Sequence, residues 1–328
     1  MKKIEDLKNL VGHTPLVEID FTYKKEIKKV FVKLEYYNLS GSVKDRMAYH
    51  VLKSAYESGK IKNGDTIVEA TSGNTGISFC AMGAYLNHPV VIYMPDWMSE
   101  ERKRLIESYG AEIREVSKEN GGFLGSISLA ENFAKSEGVF LPRQFENLDN
   151  TRGQYLSLGL EIVENLRKIE VVPDGFVAGV GTGGTVMGAG RAIKEVNENA
   201  KIFPLEPLES PTLSTGGEKI GNHRIAGISD EFIPALCKLD ELDSIISVSD
   251  GDSILMAQKL ARAGLGVGIS SGANFIGALM ATEKGCKNVV TVFPDDNKKY
   301  LSTDLMKDEP VKKGYYSPDI EIIDFKVI

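Results

Sequence analysis

The feature that most constrains this chain is an alternation. Short β-branched runs recur along its length, separated by stretches in which apolar residues return at helical spacing. The runs are VFVKLEY (30–36), TIVEAT (66–71), PVVIYMP (89–95), AEIREV (111–116), GFVAGVG (175–181), KIFPLEP (201–207), SIISVSD (244–250) and NVVTVFPD (288–295). Between them lie segments such as GISFCAMGAYL, SEERKRLIESYG and ILMAQKLARAGLG. Strand and helix in turn predict parallel sheets with helices on their faces, an α/β fold. A chain of 328 residues exceeds one small core, so two domains or one large α/β unit are expected. The polar FENLDNTRGQY, around 145–155, is a candidate crossing between domains. The tail reads as a charged loop and a short final strand.

Composition removes several partner classes. Net charge is −7 and no basic cluster is present, which excludes nucleic acid as an expected partner. The first residues, MKKIEDLKNLVG, turn acidic after two lysines and lack the long apolar stretch of a signal peptide. No apolar run approaches a membrane span, so no membrane partner is expected and a cytoplasmic location is. Three cysteines, Cys80, Cys237 and Cys286, lie far apart. That spacing argues against a disulfide framework or a cysteine zinc site, and no metal is expected. Each is predicted to pack as a small apolar residue.

In open α/β sheets ligands bind beyond the carboxyl ends of strands, which directs attention to three loops. In EATSGNTGISF, Thr71, Ser72, Asn74 and Thr75 crowd hydroxyl and amide groups together, and Gly73 and Gly76 allow a tight turn. A helix starting near Gly76 would aim its free N–H groups at an anion such as a carboxylate. An ordinary capped turn would look the same. In AGVGTGGTVMGAG, Gly179, Gly181, Gly183 and Gly184 with Thr182 and Thr185 form a loop whose amides can surround a phosphate. Gly179, Gly181 and Gly184 also satisfy G-x-G-x-x-G, and Glu206 ends the next strand about where a ribose-binding acid would sit. An NAD(P)-dependent oxidoreductase is therefore a rival reading. In GVGISSGANFIGALM, Ser270 and Ser271 precede a helix expected near Gly272, where one serine would serve as N-cap.

A fourth segment is LSGSVKDRMAYHVLKSAYESG, 39–59. Met47, Val51, Leu52 and Ala55 share a helical face, Ser42 and Asp45 make an S-x-x-D capping pair, and Gly59 suits the stop. Lys44 then falls in the first turn. The positive end of the helix dipole disfavours a cation there by roughly 0.3–1 kcal/mol. Either the side chain points to water or the site needs its amine neutral.

Together these segments resemble the cysteine synthase and cystathionine β-synthase family, pyridoxal-phosphate enzymes of fold type II. The resemblance runs through GHTPLV (12–17), KLEYYNLSGSVKDR (33–46), EATSGNTG (69–76), RQFEN (143–147), GVGTGGT (179–185), GISDEFIP (227–234), GISSGA (268–273) and KKYLST (298–303). It implies two domains, each with a twisted, mainly parallel sheet flanked by helices, and pyridoxal 5′-phosphate in the cleft between them. The larger, cofactor-binding domain would comprise 1–40 and 148–328, and the smaller, mobile substrate domain 41–147. A homodimer is implied too. Lys44 would form the Schiff base with the cofactor, which needs a neutral amine. Gly181, Thr182, Gly183, Gly184 and Thr185 would hold its phosphate, Asn74 its ring hydroxyl, and Ser270 would face its pyridine nitrogen. Thr71, Ser72, Thr75 and Gln144 would hold the substrate carboxylate. A hydroxyl at the ring nitrogen makes a weaker electron sink than an aspartate, which favours β-elimination and β-replacement through an α-aminoacrylate over transamination.

The segment GISDEFIP departs from that pattern. O-acetylserine sulfhydrylases usually carry small residues, often Ala-Gly, where Asp230 and Glu231 stand, and cystathionine β-synthases often carry Tyr-Asp. A carboxylate near Cβ could deprotonate an incoming water or thiol, or aid sulfide departure. Asp230 is the expected catalytic acid, with Glu231 the alternative and an exposed rim for both the plain reading. His13 stands where family members often have Asn, and no function attaches to it. These features predict an enzyme acting on L-cysteine, releasing hydrogen sulfide and giving L-serine or a thioether amino acid. O-acetylserine sulfhydrylase, making L-cysteine from O-acetylserine and sulfide, is the alternative, and cystathionine β-synthase stays open. A catalytically silent binding protein is opposed by the intact Lys44, Asn74 and Ser270.

Overall fold

The computed structural model describes residues 2–71 and 73–328, and Ser72 lies outside them. In chain order the strands are β1 (Leu16–Tyr23), β2 (Glu26–Leu34), β3 (Thr66–Ala70), β4 (Val90–Pro95), β5 (Glu112–Val116), β6 (Val139–Phe140), β7 (Gly175–Gly179), β8 (Lys201–Pro207), β9 (Ile246–Val248), β10 (Val289–Phe293) and β11 (Ile320–Val327). The helices are α1 (Lys2–Leu7), α2 (Lys44–Glu57), α3 (Asn74–Leu86), α4 (Glu100–Ser108), α5 (Gly122–Phe133), α6 (Leu148–Gln154), α7 (Leu160–Lys168), α8 (Gly184–Val196), α9 (Asp250–Arg262) and α10 (Ile269–Glu283).

The strands form two sheets. The larger has the order β11-β1-β2-β10-β7-β8-β9, antiparallel at the β11-β1-β2 edge and parallel from β2 to β9. The smaller, β5-β4-β3-β6, is parallel throughout. Central strands are covered on both faces, which is why VVTVF of β10 is apolar and buried along its length. Each predicted strand overlaps an observed one, although β2 begins four residues ahead of its predicted run. The antiparallel partner β1 escaped prediction because its run, LVEIDFTY, is broken by Glu18 and Asp20. Its hairpin is closed by Lys24 and Lys25, both at positive φ, where the usual Asn-Gly signal is missing.

The expected crossing at 145–155 is helical. Asn147 caps α6 by accepting from the Asp149 amide, and the chain runs on through a π turn at 155–159 into α7. The third loop also differs: α10 begins at Ile269, so Ser270 and Ser271 lie inside its first turn rather than before it. Helix α3 likewise starts at Asn74, two residues ahead of the expected Gly76.

Helix α2 begins at Lys44, and Gly59 follows its end at a φ of 71°. The capping pair does not form. Asp45 turns back to Ser40, accepting from its amide at 2.7 Å and its hydroxyl at 2.6 Å, while the Ser42 hydroxyl accepts from the Lys44 amide at 3.3 Å. Asp45 is thus used to fasten the loop entering the helix. The apolar face of α2 packs with α3 and the smaller sheet, and Ile4, Leu7 and Val11 of the amino-terminal segment join that core. Cys80 and Cys237 are buried, and burial pushes their thiols up to about 12 and about 11. Among the described residues no helix is long and apolar enough to cross a membrane.

The opposite face of α2 carries Arg46, which is fully buried. Its guanidinium reaches Glu35 at 2.6 and 2.9 Å and Glu161 at 2.8 Å twice. Lys33 adds a bond to Glu161 at 2.9 Å, and Thr14 donates to Glu35 at 2.7 Å. These cations and hydrogen bonds hold Glu161 down at about 2, against the desolvation that would raise it. Its contribution to stability is therefore present above the ordinary carboxylate pKa of 4.5 and is lost as pH falls toward 2. Arg46→Met would strand Glu35 as a buried, unpaired charge. It is expected to destabilise the protein by about 3–5 kcal/mol, read from urea unfolding, and an unchanged midpoint would refute this.

Candidate active site

One cleft gathers residues around both sheets, among them Lys44, Thr71, Asn74, Thr75, Gln144, Gly181, Thr182, Thr185, Asp230 and Ser270. Most sit where a strand ends or a helix starts, while Gln144 and Asp230 come from loops. Thr71 follows β3, and Asn74 and Thr75 open α3. The glycine loop follows β7 and opens α8, and Ser270 lies in the first turn of α10. Of the site residues expected from the sequence, Gly183 and Gly184 form the back of the glycine loop. Ser72 falls outside the described residues.

The glycine loop is built without side chains for steric reasons. A Cβ on Gly181 would collide with the Gly227 carbonyl oxygen. Gly183 has a φ of 84° and lies against the Cys237 backbone, and a Cβ on Gly184 would strike the Asn150 amide. The Thr182 hydroxyl accepts from Asn150 Nδ2 at 2.9 Å and the Gly184 amide at 3.3 Å. The free N–H groups at the start of the thirteen-residue α8, beside this tight turn, offer an anion site.

On the other wall, Thr75 donates to Gln144 Oε1 at 2.7 Å, and Gln144 Nε2 donates to the Ala70 carbonyl at 2.9 Å. The amide keeps a second N–H, and Thr71, which accepts from the Gly73 amide at 3.1 Å, keeps its hydroxyl hydrogen. Both can donate to a carboxylate. Asn74 donates to Asp295 Oδ2 at 2.7 Å and accepts from Lys299 at 3.0 Å, which leaves one N–H for a ligand oxygen. Neither Asp295 nor Lys299 was singled out in the sequence. Nor were Arg102, which stacks over Tyr300 at 4.8 Å, or Phe123 and Phe145, whose rings lie 5.9 Å apart and line the cleft. Their sequence neighbourhoods, MSEER, GGF and RQFEN, carry no local chemical signal beyond ordinary helix and loop patterning.

Two groups in the cleft have displaced proton affinities. Burial lowers the Lys44 ammonium, and the nearby carboxylates of Asp230 and Asp295 resist that shift. Burial raises the Asp230 carboxyl to about 7, with Lys44 opposing and Glu231 adding to the rise. Asp230 lines the cleft with Lys44, whereas Glu231 is exposed on the outer rim.

The dinucleotide reading fails at its acid. Glu206 is fully buried, accepting from the Leu213 and Ser214 amides at 2.7 and 3.2 Å and from the Ser247 hydroxyl at 3.0 Å. Its carboxylate organises the chain beyond β8 and, fully buried, does not line the cleft where a ribose would have to sit.

A half-buried amine at a helix start, an N–H-lined turn for a phosphate, and a serine hydroxyl in the facing helix fit pyridoxal 5′-phosphate. This is the site of a two-sheet, fold type II pyridoxal-phosphate enzyme. The sequence profile of the pyridoxal-phosphate dependent enzymes matches residues 7–295, and the chain belongs to that family. Cysteine synthase B of Campylobacter jejuni is 42% identical over 307 residues, covering 93% of this chain and 99% of that protein. The crystal structure of a hydrogen sulfide-producing enzyme from Fusobacterium nucleatum is 62% identical, with a TM-score of 0.96 over 100% of this chain and 99% of that one. An aspartate-to-asparagine variant of the same enzyme, in complex with an α-aminoacrylate intermediate, matches with a TM-score of 0.97 and 61% identity over the whole of both chains.

Because Gly181 abuts backbone, Gly181→Ala must displace the Gly227 carbonyl. The expected result is about ten-fold weaker retention of pyridoxal phosphate, measured by equilibrium dialysis. Retention equal to wild type would show that the loop does not hold the phosphate.

Proposed function

We propose that this protein acts on L-cysteine, releasing hydrogen sulfide by β-elimination and completing a β-replacement with water or a thiol to give L-serine or a thioether amino acid. The observation that carries this is a carboxylate, Asp230, placed in the cleft beside Lys44 with its pKa raised to about 7. A synthase adding sulfide, already a strong nucleophile, has little need of such a base. Adding water does need one. The Fusobacterium hydrogen sulfide-producing enzyme, 62% identical, supports the same reading, and its aspartate variant was captured partway through reaction. The 42% identity to a cysteine synthase supports the reverse alternative, L-cysteine from O-acetylserine and sulfide. Cystathionine β-synthase chemistry differs only in the incoming thiol.

When bound, the cofactor supplies an aldehyde for the substrate amine and an electron sink for the electrons left at Cα. The protein does the rest. The amides of 181–185 anchor the phosphate end, Asn74 offers its spare N–H to the ring oxygen, and Ser270 offers a neutral hydroxyl to the ring nitrogen. Thr71, Thr75 and Gln144, with Ser72, hold the substrate carboxylate. That grip fixes the Cα–H bond toward Lys44, whose neutral amine removes the proton. The sulfur leaves as hydrosulfide with its own hydrogen, and Asp230, near half-protonation at neutral pH, takes a proton from the incoming nucleophile. Residues 41–147 form the smaller unit that closes over the cleft, against the larger unit of 1–40 and 148–328. Two copies associate as a homodimer in the cytoplasm.

Incubation with L-cysteine alone tests the reading. Sulfide with L-serine or lanthionine is expected. Absence of sulfide, together with cysteine formation from O-acetylserine, would establish the synthase alternative. Lys44→Ala is expected to slow sulfide release by about 10²–10⁴-fold, the usual worth of a general base, with the fold retained by circular dichroism. In the wild type, serine formation is expected to rise with pH through about 7 as Asp230 loses its proton. Asp230→Asn is expected to remove that limb while still releasing sulfide in the first turnover.

A further inference from the structure

The loop carrying Asp230 is held in an unusual way. Ser229 has a φ of 53°, in the left-handed region that a residue with a Cβ normally avoids. A glycine would make the same turn without strain, so the serine is retained for its hydroxyl. That hydroxyl lies 3.1 Å from the Ser210 carbonyl, 3.3 Å from the Ser210 hydroxyl and 3.2 Å from the Thr212 hydroxyl. Ser210 and Thr212 are both buried, and the Ser229 amide donates to the Val180 carbonyl at 2.8 Å, beside the glycine loop.

His223 closes the loop from the other side. Its Nε2 faces the Ser229 carbonyl at 3.2 Å, and its Nδ1 faces the Ile225 amide at 3.2 Å. A carbonyl only accepts and an amide only donates, so Nε2 carries the hydrogen and Nδ1 accepts. The ring is thereby committed to one neutral tautomer. Burial favours the neutral form, with the Ser229 carbonyl, Asp250 and Glu209 opposing. Between the two contacts, Arg224 pins the chain to Asp250 at 2.7 and 3.0 Å and to Glu309 at 2.6 and 2.9 Å. The segment 223–229 is thus a closed ring of hydrogen bonds, and Asp230 is the next residue out of it.

We propose that Ser229 and His223 are positioning residues that aim the Asp230 carboxylate into the cleft and so decide whether turnover ends in capture of a nucleophile or in loss of the carbon skeleton as pyruvate. The proposal rests on the reading of Asp230 given above. Loss of hydrosulfide from Cβ leaves a carbon–carbon double bond. In capture, water forms a C–O bond at Cβ, its proton passes to Asp230, and Lys44 returns a proton to Cα. Without an aimed carboxylate, the unsaturated amino acid departs and takes up one water to give pyruvate and ammonia.

The test compares the Ser229→Ala, Ser229→Gly, His223→Ala, His223→Gln and Asp230→Asn holoenzymes with L-cysteine as sole substrate. Three quantities are read: first-turnover sulfide, the ratio of pyruvate to serine plus thioether, and hydrogen exchange of the amides of 225–231. Ser229→Ala, Ser229→Gly and His223→Ala are expected to keep first-turnover sulfide within roughly two-fold while raising the pyruvate ratio about five- to ten-fold. Their 225–231 amides are expected to exchange faster. Ser229→Gly relieves the left-handed strain, so its melting temperature stays near wild type and its altered ratio reports aim rather than stability. His223→Gln, whose amide can donate to the Ser229 carbonyl, is expected to restore most of the wild-type ratio. A wild-type ratio in both Ser229→Gly and His223→Ala, alongside a shifted ratio in Asp230→Asn, would overturn the proposal alone. An unshifted ratio in Asp230→Asn would instead overturn the reading of Asp230 on which it stands.

Discussion

The buried cluster of Arg46, Glu35, Glu161 and Lys33 is the constraint on which the rest of the structure depends. It contains two cations and two anions, so the interior carries no net charge there. Its members come from β2 and the turn after it, from α2, and from α7. Helix α2 has a divided allegiance. Its apolar face belongs to the core of the smaller sheet, while Arg46 ties it to elements around the larger one. The first residue of that helix is Lys44. An interior ion cluster of this kind adds little net stability over apolar packing, yet it is directional in a way apolar packing is not. It fixes the rotation of α2 about its axis, and with it the line along which Lys44 enters the cleft.

The cleft uses burial twice, with opposite chemical results. Desolvation drives Lys44 toward the free amine and Asp230 toward the free acid. Each charge would stabilise the other, and both shifts are reduced for that reason. In the proposed reaction, an amine facing Cα and a carboxyl facing Cβ, each shifted toward its neutral form, exchange a proton with the substrate at less cost than fully charged groups would. Asp295 adds to the field at Lys44, but it is also held by Asn74 and Tyr300 at 2.7 and 2.6 Å. Lys299 completes the arrangement by donating to Asn74 and to the Ser40 and Gly41 carbonyls. The loop before Lys44 and the first residue of α3 are therefore both fastened to Lys299.

Much of this was legible in the sequence because it depends on local pattern. The parallel strands are continuous apolar runs, and the glycine loop needs small residues for contacts that repeat wherever a backbone must approach an anion. Lys44 stood out because a cation at a helix start contradicts local electrostatics. Asp230 stood out only as a departure from a resemblance, since nothing in the composition of GISDEFIP says which acid faces inward. Arg46 gave no such signal. Its partner Glu161 lies 115 residues away, and an arginine on a helix reads as solvent-exposed until the fold closes over it.

Ser229 marks the other limit. The identity of a residue does not reveal its φ, and serine at a turn is commonplace. Only the fold shows that this serine occupies a conformation suited to glycine and is bonded through its hydroxyl to two buried partners. The same holds for the hairpin closed by Lys24 and Lys25 at positive φ. The two cases differ in what holds the strain. The hairpin turn is exposed, and the paired register of β1 and β2 with Lys24 over the Tyr23 ring at 4.8 Å sustains it. The Ser229 turn is over-determined by His223, Arg224, Ser210 and Thr212, more contacts than the turn needs to exist. Strain maintained by surplus contacts next to a half-buried carboxyl is the pattern expected where geometry, rather than stability, is being held constant.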